Sequence, residues 1–584
     1  MEDKKFKIKE VTVLVRKYLN DQKLPFAILA AISFSYIALQ IYSPQIIRNF
    51  IDEITGKNDK NVLFRFAAIY IAAAFLMQCF RLLSTYMSQN IGWKATNRLR
   101  NDLTWHCMNL DMSFHKEHLP GEIIERIDGD VSNLINLFSN FMIQVVGSVF
   151  FLLGVLGVLF AEDWRIGAVL TAYALAAALI MFNFSKFGIP FWQKNSKYRA
   201  EYFGFVGEQL ANREDIHSSG AAEYSRYKFK LMLNQWFPFE RKATIMGFSM
   251  WTMGMIIFFI GIIAALGVAG HLWTDKVITL GVVFLIYNYT LMIHDPIRQL
   301  QTQLQDLQKA VAGIRRINLL LDIQPSIKYG TNELPLNKAP ELEVRNAEFH
   351  YEEGSPVIKD LSFHLKPGEV LGLIGRTGSG KTTIGRLMLR LYEIQKGRIM
   401  VNGLDLNSLT EKSLREHIAV VTQDVELFNA SIRNNLRFFD ESVTDEMIYA
   451  AFEKLGISEW IKKFPKGLDT VLQSDRSGLS AGQAQLLALV RIFLRNPSLV
   501  IMDEASSRLD PATEGLINRA IDHLLDGRTA IVIAHRLWTV QRADKILILE
   551  DGLVKEFGYR NDLIKDPASR FNELLKIGLE EVLV

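Results

Sequence analysis

Six apolar stretches dominate the first half of the chain. They run approximately from Pro25 to Arg48, Val62 to Tyr86, Phe141 to Phe160, Ile166 to Phe184, Met246 to Gly270 and Val277 to Ile293. A helix needs roughly 20 predominantly apolar residues to cross a bilayer, so each stretch predicts a membrane-spanning helix. Short links join the first stretch to the second, the third to the fourth and the fifth to the sixth; Ala161–Arg165 is one of them. Long, charged, helix-rich stretches separate the second from the third and the fourth from the fifth. The latter carries Lys186, Lys194, Lys197, Arg199, Arg213, Arg226, Lys228, Lys230, Arg241 and Lys242. Lys and Arg mark the cytoplasmic side. The N-terminus, both long stretches and everything after the sixth crossing are therefore expected on the cytoplasmic side of the cell membrane. An even number of crossings returns the chain to its starting side, which agrees with that assignment.

The long stretches keep a helical period. Ile91, Ala95, Leu99 and Leu103 fall on one helix face, so the second and third spans are expected to continue out of the bilayer. Segments Asp111–Leu134 and Arg213–Phe229 each allow a short helix that contacts the soluble half. Residues 1–24 alternate basic and apolar positions and read as a cytoplasmic helix at the membrane surface, with a disordered tail as the alternative. They contain no apolar core and small-residue cleavage site of a signal peptide. Gln299 to about Asp322 continues as a helix. A linker rich in Pro, Gly and polar residues follows, and from Glu341 short apolar runs alternate with turns and helices, the pattern of an α/β domain. The expected division is 1–24 interfacial helix, 25–322 all-α transmembrane domain with six helices and two cytoplasmic loops, 323–340 linker, and 341–584 α/β P-loop nucleotide-binding domain.

Composition sharpens this picture in three ways. Hydrophobic residues make up 49% of the 584 positions beside 22% charged ones, which implies a membrane part joined to a soluble part. A net charge of +3, without a basic stripe, points away from nucleic acid. Two cysteines, Cys79 and Cys107, give neither a disulfide framework nor a zinc site. Polar groups within or beside the spans, namely Gln40, Gln78, Arg81, His294 and Asp295, are candidates for solute contact, although Arg81 and the His294–Asp295 pair also fit positions beyond the membrane edge. The aromatic and Met residues of the last two spans suit hydrophobic or amphipathic cargo, and lipid-facing packing explains them equally well.

The chemistry concentrates in Gly375-Arg376-Thr377-Gly378-Ser379-Gly380-Lys381-Thr382-Thr383. An apolar strand precedes this loop and a helix follows it. Glycines let backbone N–H groups turn inward around phosphate oxygens, and the helix N-terminus adds partial positive charge. Lys381 is placed to reach the β- and γ-phosphates of ATP, and the Thr382 hydroxyl to ligate Mg²⁺. A second apolar strand, from Leu499, ends in Asp503 and Glu504. The first carboxylate suits Mg²⁺ and the second suits orienting or deprotonating the attacking water. Gln423 follows another strand, where its amide can reach Mg²⁺ and that water. His535 ends a further strand, from which it can donate to the γ-phosphate. Tyr351 precedes the loop's strand and either stacks on a purine or serves as a strand aromatic. Ser480, Gly482 and Gln483, within Leu479–Gln483, open an apolar helix and form a second anion-binding end. One chain already has its phosphate loop, so a second such end suggests a site shared by two domains facing head to tail.

In this order, Tyr351, the Gly375–Thr383 loop, Gln423, LSAGQ, IMDEASSRLD and His535 resemble the nucleotide-binding domain of ATP-binding cassette (ABC) transporters. Six spans followed by one such domain look like an exporter-type half-transporter. The resemblance implies that two halves dimerise and enclose two ATPs between the P-loop of one and the signature of the other. Short helices near Asp111–Lys116 and Arg213–Ser219 would relay closure to the spans for alternating access.

The chain departs from the family pattern at Ala481, at Ser507-Arg508-Leu509-Asp510, and where Gln473-Ser474-Asp475-Arg476 lacks a Gly-Glu pair. It keeps Lys381, Gln423, Asp503, Glu504 and His535. That combination looks like one half of a heterodimeric, multidrug-like exporter, with a homodimer still open. The function implied is ATP-driven export of a hydrophobic, amphipathic or peptide substrate. An importer or an ATP-gated channel of the same architecture is the alternative. A soluble ATPase acting on nucleic acid or ribosomes is opposed by the six apolar stretches.

Overall fold

The computed structural model describes residues 8–56, 59–335, 339–352, 354–422, 425–472, 479–503, 511–534 and 540–577. The chain divides into two units: 1–108 with 119–323, and 109–118 with 324–584.

The first unit is all helical. It contains α1 (Ile8–Leu19), α2 (Lys23–Thr55) and α3 (Lys60–Met108). A short helix, α4 (Met112–Glu117), then falls within the second unit. Next come α5 (Pro120–Ile124), α6 (Val131–Asn136) and α7 (Met142–Glu162), which π-turns at Glu125–Asp130 and Leu137–Phe141 join into one run. The remaining helices are α8 (Trp164–Ala211), α9 (Arg213–Ser218), α10 (Ala222–Thr274) and α11 (Leu280–Leu321). Among the described residues, six helices are long and apolar enough to cross a membrane.

The 49 residues of α3 and 53 of α10 exceed the ~20 needed for a crossing, so both continue well beyond it. The face expected from the helical period, Ile91, Ala95, Leu99 and Leu103, is buried. Pro44, Pro190, Pro238 and Pro296 lie inside spanning helices, where neighbouring helices can satisfy the freed carbonyls.

Polar groups tie the bundle together at both ends. Asp163 caps α8 by accepting from the Arg165 amide at 2.8 Å. Asp52 of α2 caps α11, accepting from the Gly281 amide and the Thr279 hydroxyl, both at 2.9 Å. Arg48 joins that end by donating to Glu162. In the other direction along these helices, the buried Asp130 carboxylate accepts two hydrogen bonds from Arg316, one at 2.7 Å.

The second unit contains β1 (Leu342–His350), β2 (Pro356–Leu365), β3 (Val370–Ile374), α12 (Lys381–Met388), β4 (Lys396–Val401), β5 (Leu404–Asp405), α13 (Glu411–His417) and β6 (Ile418–Val421). It continues with β7 (Ala430–Ser431), α14 (Ile432–Arg437), α15 (Asp445–Lys454), α16 (Ser458–Ile461), β8 (Val471–Leu472) and α17 (Ala481–Arg495). The last elements labelled are β9 (Leu499–Asp503), α18 (Pro511–Leu525), β10 (Thr529–Ile533), β11 (Lys545–Glu550) and β12 (Leu553–Tyr559).

The main sheet has the order β12-β11-β3-β10-β9-β6 and is parallel from β11 to β6. A second, antiparallel sheet has the order β2-β1-β4-β5. Strands β3, β9 and β10 are almost wholly buried, as expected of parallel strands covered on both faces. Open parallel sheets bind ligands beyond the carboxyl ends of their strands, and the phosphate-type loop leaves β3 at that end.

Candidate functional site

The loop from Gly375 to Gly380 is shaped by what a side chain would strike. A Cβ at Gly375 would lie 2.3 Å from the Leu549 carbonyl oxygen of β11. Gly378 and Gly380 adopt φ of +85° and +104°, backbone that costs an L residue energy and glycine little. Gly380 is the N-cap of α12, so the first amides of that helix open toward the loop.

Lys381 is buried and curls back over the loop, donating to the carbonyls of Gly375 at 2.6 Å and Arg376 at 2.9 Å. Burial pushes its ammonium below the ordinary lysine range, while the Asp503 carboxylate pulls the other way. The Ser379 hydroxyl is buried with no hydrogen-bond partner among the described residues. An orphaned hydroxyl, a buried cation and left-handed glycines beside a helix start fit a phosphate chain, because each is a donor or positive pole lacking an anion.

Thr382 donates to Asp503 Oδ2 at 2.9 Å. Strands β3 and β9 flank β10 in the sheet, and this order brings together two oxygens that are far apart in sequence. A hydroxyl and a carboxylate, both hard oxygen donors, fit a divalent cation such as Mg²⁺. Asp503 is the last residue of β9 and buried.

Tyr351 follows β1 directly and packs against the core of this unit. Its hydroxyl lies 3.2 Å from Thr383 Oγ1 and accepts from Arg386 Nη1 at 3.1 Å, which fixes the ring beside α12. Phe349 and Tyr392 meet it edge-on at centroid distances of 4.8 and 5.1 Å. Arg386 and Tyr392 belong to no motif recognisable in the sequence. Arg386 lies three residues beyond Thr383, a spacing that places both near one helix face; nothing in the sequence marked Tyr392.

Ser480 and Gln483 open α17 in a reciprocal capping box. The Gln483 amide donates to Ser480 Oγ at 3.3 Å, and the Ser480 amide donates to Gln483 Oε1 at 3.0 Å. Gly482 is buried in the first turn. Both side chains thus hold the helix start rigid.

Gln423, Glu504 and His535 lie outside the described residues, as do Gln473–Arg476 and Ser507–Asp510. The structure therefore unites Lys381, Thr382, Asp503, Tyr351 and Thr383, with Ser480, Gly482 and Gln483 on a separate helix. Among the described residues no cluster of His, Cys, Asp and Glu suits a metal ion by itself. In the helical unit, Arg81 and Gln78 are exposed on α3, and His294 lies 3.7 Å from Asp295 and edge-on to Phe258.

Comparisons with known proteins agree with both halves. Residues 26–296 match the family model described as ABC transporter transmembrane region, and residues 358–507 match the model described as ABC transporter. The chain is 30% identical over 543 residues to the uncharacterized ABC transporter ATP-binding protein YfiC of Bacillus subtilis, covering 90% of this chain and 87% of that one. It is 29% identical over 529 residues to the ATP-dependent lipid A-core flippase of Pasteurella multocida, covering 89% and 90%. A solved bacterial Atm1-family ABC exporter with ATP bound shares the fold, with a TM-score of 0.81 and 22% identity over 95% of this chain and 99% of that one.

Proposed function

We infer the following for a chain that belongs to the ABC transporter family: it exports an amphipathic, hydrophobic or peptide solute as one half of a heterodimer. It is a multi-pass membrane protein of the exporter-type half-transporter fold with a cytoplasmic nucleotide-binding domain, and its transport is coupled to ATP hydrolysis. The boundaries 1–24, 25–322, 323–340 and 341–584 are our working division.

The observation that carries the ATP site is the convergence of Lys381, Thr382 and Asp503 at the carboxyl end of the parallel sheet. In our assignment the amides of Gly375–Thr383 and the Lys381 ammonium hold the phosphates, and Tyr351 stacks on the base. Thr382, Asp503 and Gln423 would hold Mg²⁺, which would supply charge neutralisation at the phosphoryl oxygens. Glu504 accepts a proton from the attacking water, and His535 donates to the γ-phosphate. Ser480, Gly482 and Gln483 of this chain face the nucleotide of the other half.

The heterodimer rests on Ala481 and on the altered segments beside it, with the residues of this chain's own P-loop site all present in sequence. The amphipathic cargo is supported by relatives named lipid A-core flippase.

The test is ATPase activity of the chain purified in lipid, alone and with a candidate second half-transporter. Activity that is low alone and rises on co-assembly supports the heterodimer. Full cooperative activity alone overturns it in favour of a homodimer.

A further inference from the structure

The second unit includes residues 109–118, the loop that leaves α3, although this segment is remote in sequence from the rest of that unit. Asp111 holds it there: its Oδ2 accepts from the Ser326 amide at 2.5 Å and from the Ser326 hydroxyl at 2.7 Å. Within the segment Phe114 is buried, with the His118 ring stacked on it at 4.4 Å. Lys116, on the same short helix, places its ammonium 4.9 Å from the centroid of the Tyr351 ring and 3.9 Å from Glu352 Oε1. Asp111, Ser113, Lys116, Tyr351, Glu352 and Tyr392 line one cleft of about 380 Å³. That volume lies in the roughly 300–1,000 Å³ range of small-molecule pockets.

We propose that Lys116 is a base-contact residue of the nucleotide site: the nucleobase stacks on the Tyr351 face that the Lys116 ammonium covers, and Lys116 moves to the base itself. This rests on the reading of Tyr351 as the base-stacking residue. The ring is held at its hydroxyl by Thr383 and Arg386 and packs at near right angles to Phe349 and Tyr392. Lys116 and Glu352 are 56% and 81% exposed, so moving them off the face costs little. An exposed cation over a ring is a weak contact, and a stacked base makes the stronger one on the same face. Once displaced, Lys116 keeps its tether through Asp111 and Ser326, and its four-carbon stem reaches across one base thickness. Its three N–H donors suit the ring nitrogens of a purine, which are acceptors, and Glu352 beside it suits an exocyclic amino group. The contact also gives the α3–α5 loop a direct stake in nucleotide occupancy. By reciprocity, whatever the base gains from Lys116, the loop gains from the base.

The experiment is equilibrium binding of ADP and of inorganic pyrophosphate to the full chain in lipid, for the native protein and for Lys116→Met and Lys116→Arg. ADP binding by the native chain checks the cassette reading by itself. Pyrophosphate has no base, so its affinity reports folding and the phosphate loop alone. We expect Lys116→Met to weaken ADP by roughly 3- to 30-fold, the worth of one hydrogen bond or cation contact to the base. Lys116→Arg should recover to within about twofold, since a guanidinium also rests on ring faces. Pyrophosphate affinity should be unchanged in both variants. Unchanged or tighter ADP binding by Lys116→Met would overturn the proposal, because the lysine would then only cover the ring. Equal weakening toward pyrophosphate would overturn it as well, since the effect would be phosphate attraction or misfolding.

Discussion

Replacing Gly380 by Ala tests whether the loop's backbone is held as described. At φ of +104°, an L residue pays roughly 1–2 kcal/mol for left-handed backbone. The added Cβ would also lie 2.6 Å from Ile358 Cδ1 and 3.1 Å from the Val357 carbonyl oxygen. The isoleucine tip could swing away, but Ile358 is fully buried and the carbonyl is backbone. Overpacking of this kind costs about 1–3 kcal/mol, so the total is about 2–5 kcal/mol. Gly378 is the matched control: its φ is +85° but nothing among the described residues lies within 4 Å of an added Cβ. Gly378→Ala should therefore cost only the roughly 1–2 kcal/mol of strain. For a unit of this size each kcal/mol lowers Tm by about 2–4 °C. The assay is calorimetry of the full chain in lipid, reading the transition that ADP shifts upward. Gly380→Ala should fall further than Gly378→Ala by several degrees. Equal falls would mean that the Ile358 and Val357 contacts do not wall the loop. No fall in either would refute the left-handed loop itself.

Glu504→Gln should keep ATP binding and lower turnover by about 10²- to 10⁴-fold, the usual worth of a general base; single-turnover hydrolysis checks it, and unchanged turnover removes Glu504 from that role. Lys545 is paired with Glu369 at 2.8 Å in a nearly buried site between β3 and β11, so Lys545→Met strands a buried carboxylate and should cost about 3 kcal/mol in the cassette transition. Burial alone would raise the Glu369 pKa, but Lys545 and the Lys366 amide outweigh it and hold the carboxyl below its ordinary 4.5. A depressed folded-state pKa gives stability that is present above pH 4.5 and lost as pH falls through the lower folded value. In Lys545→Met that acid-side loss should shrink, as melting between pH 6 and 3 will show. In the helical unit, Arg316→Ala leaves the buried Asp130 charge unpaired and should cost about 2–4 kcal/mol, whereas Asp130→Asn leaves a half-exposed arginine and should cost about 1 kcal/mol; the reverse order in thermal unfolding would refute this.

Much of the molecule was legible in local pattern. Apolar runs near the span length fixed six crossings, because a bilayer demands a certain number of consecutive apolar residues wherever they fall in the chain. The Gly375–Thr383 loop declared itself because strand, glycines and helix start are consecutive, so one short stretch carries the whole device. Ile91, Ala95, Leu99 and Leu103 were read as one face from their spacing alone, and that face is buried. The pairings between distant segments were not legible. Thr382 meets Asp503 across 121 residues, and Arg316 meets Asp130 across 186. Tyr351 stayed ambiguous in sequence, since an aromatic at a strand end serves a core as readily as a purine; only its tie to Thr383 and Arg386 of α12 settled its place. Lys116 was read only as the end of a short helix near Asp111–Lys116, and its place over the Tyr351 ring comes from the fold. Local periodicity records which face of an element is apolar, but it carries no address for the partner. Strand order in the parallel sheet and the return of a loop 200 residues upstream are decided by packing, and packing alone brought these groups within reach of one another.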